Sequence, residues 1–296
     1  MITIQKEKIH FAFDPAEAPA AYAESGDVVK FCCQDAYCEQ ILSDGFDFGK
    51  MDMNRNNPAT GPLHVRGAKP GDVLRVEITA IDLAADGCMC VRTGAGIYEI
   101  EGRHCRRFPI EAGAVVFDNN IRLPLRPMIG VIGTAPTNGA LSTQSPGEHG
   151  GNLDIKDIGV GALLYLPVNV PGALLCMGDI HAVQGDGETV ICALEMSGEI
   201  TVKVDVLANR RDIPTPFIVT KSHYITTAAD PSLDVCSILA AKKMHRFLQQ
   251  HSALSDAQVG MLLSMAGNLR ISQVVNPDKG CIMEFPVSLA DEKFEK

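Results

Sequence analysis

Asp179 and His181 have residue types and a spacing that suggest chemistry. They stand two apart in Gly178–Glu188 (GDIHAVQGDGE), at the end of an apolar run that carries no charge after Asp157. On an extended strand, residues two apart share a face, so this carboxylate and imidazole converge. Such a pair is half of a divalent-metal site. Charge placed directly after a buried run is costly unless it is partnered, which argues against an idle surface turn. Asp186-Gly187, in the same stretch, reads instead as an ordinary solvated turn. Glu195 lies inside the apolar run Val190–Met196. A buried glutamate either finds a core partner or titrates high. Metal ligation and general-base work are two uses of that environment.

Two further stretches gather polar groups. Pro146–Asp154 (PGEHGGNLD) sets Glu148, His149, Asn152 and Asp154 around a Gly-Gly pair. Gly150 and Gly151 let the main chain approach a ligand closely, and their amides are candidates to hold an oxyanion. A solvated loop is the plain alternative. Near the N-terminus, Asp35 and Gln40 stand in FCCQDAYCEQI, just after the apolar strand Val28–Cys33. Cys38 tempts a nucleophile reading, but a reactive thiolate needs an electropositive setting, and Asp35 and Glu39 provide the opposite. His10, His64, His104, His223, His245 and His251 have ordinary polar contexts and receive no role.

The elements that must position these groups read mostly as strands. A glycine turn followed by apolar residues recurs at Gly26, Gly71, Gly113, Gly161 and Gly172. Glycine supplies the turn torsions, and repeated short strands argue for a β-sandwich or jelly-roll-like body. Residues 73–81 and 200–207 alternate apolar and polar side chains, as strands with one wet face do. Residues 158–178 lack charge but contain Pro167, Pro171 and several glycines, so they read as two buried strands and a turn, not a membrane span. The C-terminal part changes character. Residues 232–250 are apolar at helical spacing behind a Ser232 cap, residues 255–266 read as a second helix behind Ser255, and residues 280–289 return to strand. The expected organisation is a β-rich body over 1–215 and a smaller α+β portion over 216–296, packed as one unit, with the boundary set by Pro214 and Pro216.

Bulk properties narrow the function classes. The chain has 296 residues, with 26 basic and 36 acidic side chains for a formal net charge of −10. No lysine/arginine cluster of the nucleic-acid-binding kind occurs. The first residues carry no signal-like apolar run, and the ten cysteines sit in apolar strings without zinc-ribbon or redox spacing. That predicts ten free thiols and a cytoplasmic home. P-loop, dinucleotide and GxSxG fingerprints are absent.

Six co-linear segments together resemble the acetamidase/formamidase family: DAYCEQI (35–41), NPATGP (57–62), GAKPGDVLRVEI (67–78), RPMIGVIGTAP (126–136), SPGEHGGNLDIKDI (145–158) and LYLPVNVPGALLCMGDIHAVQGDGE (164–188). The resemblance implies hydrolysis of small aliphatic amides such as formamide or acetamide to a carboxylate and ammonia. It also implies a β-rich fold, a divalent metal (zinc, or calcium) and a homo-oligomer such as a dimer. Carried over, the family's acid–histidine cluster falls on Asp35, His149, Asp179, His181 and Glu195. The expected roles are metal ligation by Asp179, His181 and Asp35, proton transfer by Glu195, His149 or Asp35, and substrate or oxyanion contacts from Gly150, Gly151 and Gln40. The chain departs from the family pattern around Cys32, Cys33 and Cys38 and across Gly87–Arg107, both of which bear on substrate. A non-catalytic, cupin-like metal- or ligand-binding β module is the rival reading. An amidase for another small amide or lactam is a closer variant.

Overall fold

In the computed structural model, which describes residues 1–290, the chain is mostly β with a smaller α+β portion at its C-terminal end. Two large sheets face each other. The nine-stranded sheet runs in the order Ile2–Ile4, Val28–Cys33, Gly198–Leu207, Val73–Leu83, Leu163–Pro167, Phe217–Val219, His223–Asp230, Lys279–Pro286, Asn268–Gln273. The second sheet centres on Leu175–His181. The expected alternating strands appear as Val73–Leu83 and Gly198–Leu207, paired antiparallel. Their inward residues Val76, Ile78, Val202 and Val204 pack against Leu63, Ile129, Met177 and Ile180 of the other sheet in one core cluster. Burying side chains of this size is worth about 1.5–3 kcal/mol each, so the sandwich stands on this layer.

The uncharged run forms the two buried strands expected of it, Leu163–Pro167 and Leu175–His181, one in each sheet. Helix α1 (Leu233–Gln250) starts at Ser232, whose side chain accepts a hydrogen bond from the Val235 amide. It buries Cys236, Ala240, Met244, Phe247 and Leu248 at helical spacing. Helix α2 (Asp256–Ala266) starts with a complete capping box between Ser255 and Gln258. The helices cover the C-terminal strands in a second core cluster that also takes in Val73 and Tyr165. Residue 215 is not a break in the sheet, because Phe217–Val219 pairs directly with Leu163–Pro167. Among the described residues no helix is long and apolar enough to cross a membrane.

One expectation needs correction. Ten free thiols were predicted, but Cys90 and Cys105 form a disulfide. The two lie directly opposite each other where strands Asp86–Arg92 and Arg103–Glu111 pair, a register that linear spacing could not reveal. The other eight cysteines are free, all of them buried except the half-buried Cys32.

Candidate metal and active centre

The Leu175–His181 strand carries the candidate site because its partners change along its length. Met128–Gly133 pairs with one edge throughout. On the other edge, Ala59–Val65 pairs as far as Gly178, and Glu195–Met196 takes over at Ile180 and His181. Asp179 falls at the changeover. Its backbone is left-handed (φ 55°), whereas the sequence suggested a plain extended strand. Its side chain nonetheless meets that of His181, with Oδ1 at 3.4 Å from Nε2. Glu195, the cross-strand partner of His181, places Oε2 at 3.1 Å from the same nitrogen.

Asp154 and Glu188 complete a second group around His181. The ligand atoms of Asp154, His181 and Glu188 lie within 4.8 Å of one another, as do those of Asp179, His181 and Glu195. All five residues are buried. Asp154 (φ 46°) and Glu188 (φ 44°) are left-handed like Asp179. Non-glycine residues in that region cost roughly 1–3 kcal/mol each, and such strain tends to gather at functional sites.

Supporting amides fix the orientation of the cluster. His181 Nδ1 donates to Gln184 Oε1 at 2.8 Å, while Gln184 Nε2 donates to the Asp154 carbonyl at 2.8 Å. The first bond leaves Nε2 facing the carboxylates, the arrangement of an imidazole held to ligate through one nitrogen. Asn276 Nδ2 donates to Asp154 Oδ2 at 2.7 Å. Asn152, with its amide oriented to suit its neighbours, donates to Asp179 Oδ2 at 3.2 Å and Asp154 Oδ2 at 3.3 Å. The Ala193 amide donates to Glu195 Oε1 at 3.0 Å. Gly130 lies opposite Asp179, and a Cβ there would sit 2.5 Å from Asp179 Oδ2 and 2.7 Å from Asp154 Oδ1. Only hydrogen leaves room for the two acids.

The electrostatics fit a site made for added positive charge. Burial pushes the Glu195 carboxyl up to about 8, against the pull of His181. Burial, reinforced by Asp179, lifts Asp154 to about 6. Glu188 rises well above the usual range through burial and the neighbouring Asp154. For His181, burial is outweighed by Glu195 and Asp179, which hold the imidazole's pKa well above its usual value. For Asp179, burial is outweighed by His181, and its carboxyl is held down. Four buried atoms of the cluster make no well-aligned hydrogen bond, His181 Nε2, Glu195 Oε2, Asp154 Oδ1 and Glu188 Oε2, and the first two face each other at 3.1 Å as an ion pair. They are donor atoms of the kind a divalent cation takes, and one imidazole with several carboxylates is a common donor set. Asn152, Asp179, Glu188, Glu195 and Asn276 line a cavity of about 140 Å³ together with Tyr37 and Arg92. A larger hollow of about 460 Å³ lies along the 183–194 segment, but its lining is mainly apolar (Met89, Phe108, Val115, Leu194), so the chemistry belongs to the smaller cavity.

The other sequence candidates lie apart from this cluster. Asp35 Oδ1 accepts from the amides of Tyr37 (3.0 Å) and Glu39 (2.8 Å), so it closes a turn. Burial raises its pKa. Asp35 is one thiol away from the centre, since Cys88 Sγ approaches Asp35 Oδ2 at 3.8 Å while its backbone pairs with Glu195. His149 is buried edge-on to Phe13, with ring centroids 5.0 Å apart, and lines a separate hollow with Glu148 and Asn169. Burial lowers its pKa to about 4. Gly150 (φ 100°) and Gly151 (φ 87°) are strand residues squeezed by the carbonyls of Ile132 and Ser145, where a Cβ would meet oxygen at 2.3 and 2.2 Å. That packing explains the glycines without an oxyanion. Gln40 bridges the 52–55 loop through the Asp52 amide and the carbonyls of Asp52 and Arg55. Burial raises the Cys38 thiol to about 11, in line with its dismissal as a nucleophile.

Sequence reasoning left Asp154 among loop polar groups and Glu188 at the end of a turn. Gln184 and Asn276 it did not single out. Glu188 carries no signal in the sequence, since Gly185–Glu188 (GDGE) reads as a solvated turn.

Fold and site together define a two-sheet β protein built around a buried acid–histidine centre. The chain belongs to the acetamidase/formamidase family, whose sequence profile matches residues 1–142 and 137–292. It is similar to the crystallised acetamidase of Bacillus halodurans, with 43% identity and a TM-score of 0.95, covering 97% of this chain and 98% of that one. The crystal structure of a predicted acetamidase/formamidase from Thermoanaerobacter tengcongensis matches with 38% identity and a TM-score of 0.93, over 96% and 95% of the two chains. The formamidase of Methylophilus methylotrophus is 27% identical over 69% of this chain. The chain spans about 65% of the length of the curated relatives it matches.

Proposed function

We propose that this protein is a metal-dependent amidase, which hydrolyses small aliphatic amides of the formamide and acetamide kind to a carboxylate and ammonia. The observation that carries the reading is the convergence of buried ligand atoms from His181, Asp154, Glu188, Asp179 and Glu195, in two groups that each fall within 4.8 Å, beside a 140 Å³ cavity. That volume is below the roughly 300–1,000 Å³ of sites for drug-sized ligands, as a small amide requires. The names of the relatives support the amide chemistry.

His181, Asp179, Asp154 and Glu188 would hold the ion. A divalent cation, zinc or calcium, supplies Lewis-acid chemistry that activates water and polarises the amide carbonyl. Asn152, Asn276 and Gln184 hold the ligand side chains in place. Glu195, with Oε1 anchored on the Ala193 amide and Oε2 beside His181 at the cavity wall, takes the proton of the attacking water and returns it to the leaving amine. The reading includes a homodimer, to be measured by light scattering, and a cytoplasmic home, to be measured by localisation because the Cys90–Cys105 disulfide removes the free-thiol argument for it.

The test is ammonia release from formamide, acetamide and propionamide before and after exhaustive chelation, with activity restored by added zinc, calcium or manganese. Full hydrolysis by rigorously metal-free protein refutes the mechanism. Stoichiometric metal without turnover on any amide favours a binding module.

A further inference from the structure

The acid-rich cavity has one basic side chain in its wall among the described residues, Arg92. Every other charged residue lining it is an acid: Asp179, Glu188 and Glu195. Those acids already have a use in the proposed centre, and Arg92 forms no ion pair with them. Its guanidinium lies over the Phe48 ring, 5.2 Å from the centroid. Arg103, its partner in strand register, lies over the same ring at 5.4 Å. Guanidinium stacked on an aromatic face keeps its N–H edge free, and that planar fork matches a carboxylate. Two guanidinium groups on one ring also make the rim attractive to an anion. Both come from the Gly87–Arg107 stretch, where the sequence departs from the family pattern, and the Cys90–Cys105 disulfide ties their two strands together close by.

We infer that Arg92 is a specificity-determining residue that binds a carboxylate carried by the substrate, so the preferred substrate is the monoamide of a short dicarboxylic acid and not a neutral amide. The inference rests on the amidase reading of the same cavity. The amide end lies at the acid–histidine centre and the carboxylate end at Arg92. Without Arg92 an anionic guest meets three acids and neutral side chains but no positive charge in the described lining, so the residue decides whether such a substrate is favoured.

The experiment compares kcat/KM for oxamate, malonamate and succinamate with that for acetamide, using metal-loaded protein. The expected result is a ratio above one for at least one of the three acids. Arg92→Gln lowers that ratio about ten- to hundredfold, the range of a lost charge-assisted hydrogen bond, and Arg92→Lys, which keeps charge without the fork, falls between. Calorimetric binding of the best anionic amide in a Glu195→Gln background is the second readout, and Arg92→Gln weakens it by a similar factor. Wild-type protein that hydrolyses no amide overturns the amidase reading, and the binding comparison then still decides the role of Arg92. Acetamide hydrolysis with every ratio at or below one, or anionic-amide affinity untouched by Arg92→Gln, overturns the assignment of Arg92 and leaves the amidase reading in place.

Discussion

Gly130→Ala adds one methyl group, removes no functional group, and should still empty the centre. Gly130 has no left-handed torsion, so alanine suits its backbone, and the only conflict is steric. The new Cβ would lie 2.5 Å from Asp179 Oδ2 and 2.7 Å from Asp154 Oδ1, where ordinary contact begins at 3.4 Å. The shortfall from 3.4 Å is about 0.9 Å at Asp179 and about 0.7 Å at Asp154, whereas ligand distances in a metal site hold to about 0.2 Å. Retreat is blocked by Asn276 and Asn152, which bond both acids in place. Overpacking of this kind costs about 1–3 kcal/mol. If the bound geometry bears most of that cost, metal affinity falls about ten- to hundredfold. The fold should survive, since the two sheets and their core are untouched. The assay is metal content by mass spectrometry after gel filtration, ammonia release, and a thermal melt. Gly185→Ala is the matched control: nothing lies within 4 Å of its Cβ position and its torsion is not left-handed, so it should keep metal and rate. A Gly130→Ala protein with full metal and wild-type turnover would refute the placement of the centre between Asp154 and Asp179.

Three shorter predictions address the neighbours of that centre. His181→Ala and Asp179→Asn should each lose metal and activity together, with a folded circular-dichroism spectrum; retained metal in both would exclude them as ligands. Cys38→Ser should keep substantial ammonia release, because burial raises its thiol to about 11, and abolished turnover would point to acyl transfer through the thiol. Arg270→Gln should lower metal affinity and melting temperature by a few degrees, since Arg270 grips Asp186 with two bonds (3.0 and 2.9 Å) and Asp157 with one (3.0 Å), holding the loop that bears Gln184 and Glu188. Unchanged melting and metal titration would show that the loop holds itself.

The fold was legible because its signals are local. Alternation marked the two long strands, Ser232 and Ser255 marked the helix starts, and glycine turns marked the strand ends. Asp179, His181 and Glu195 were legible as a group because each is a charged or polar residue at the border of, or within, an apolar run. Glu188 was not, because Gly-Asp-Gly-Glu looks like a solvated turn. Its burial comes from a strand remote in sequence, where Gly187 bridges to Gln273 and the Ser272 carbonyl accepts from the Gly187 amide. Asn276 follows that same strand and reaches Asp154 only because the strand crosses there. His149 shows the converse. Its type and company suggested catalysis, but its ring packs edge-on to Phe13 and it lines a separate hollow with Glu148, away from the acid–histidine cluster.

The left-handed torsions bear on why the C-terminal portion belongs to the site. Asp154, Asp179 and Glu188 each hold an unfavourable backbone, and they bring like charges together in the interior, which costs far more. The body offsets part of these costs, through His181 beside Asp179 and Glu195 and through Asn152, which donates to Asp179 and Asp154. The shorter bond to Asp154 Oδ2, at 2.7 Å, comes from Asn276 beyond the body. Glu188 is held through Gly187 by Ser272 and Gln273, and Arg270 ties Asp186 and Asp157 to the same sheet. Strands Asn268–Gln273 and Lys279–Pro286, with the turn between them, therefore act as a clamp on a strained acidic centre whose remaining imbalance a divalent cation would relieve. Helices α1 and α2 pack on those strands and hold the clamp in place.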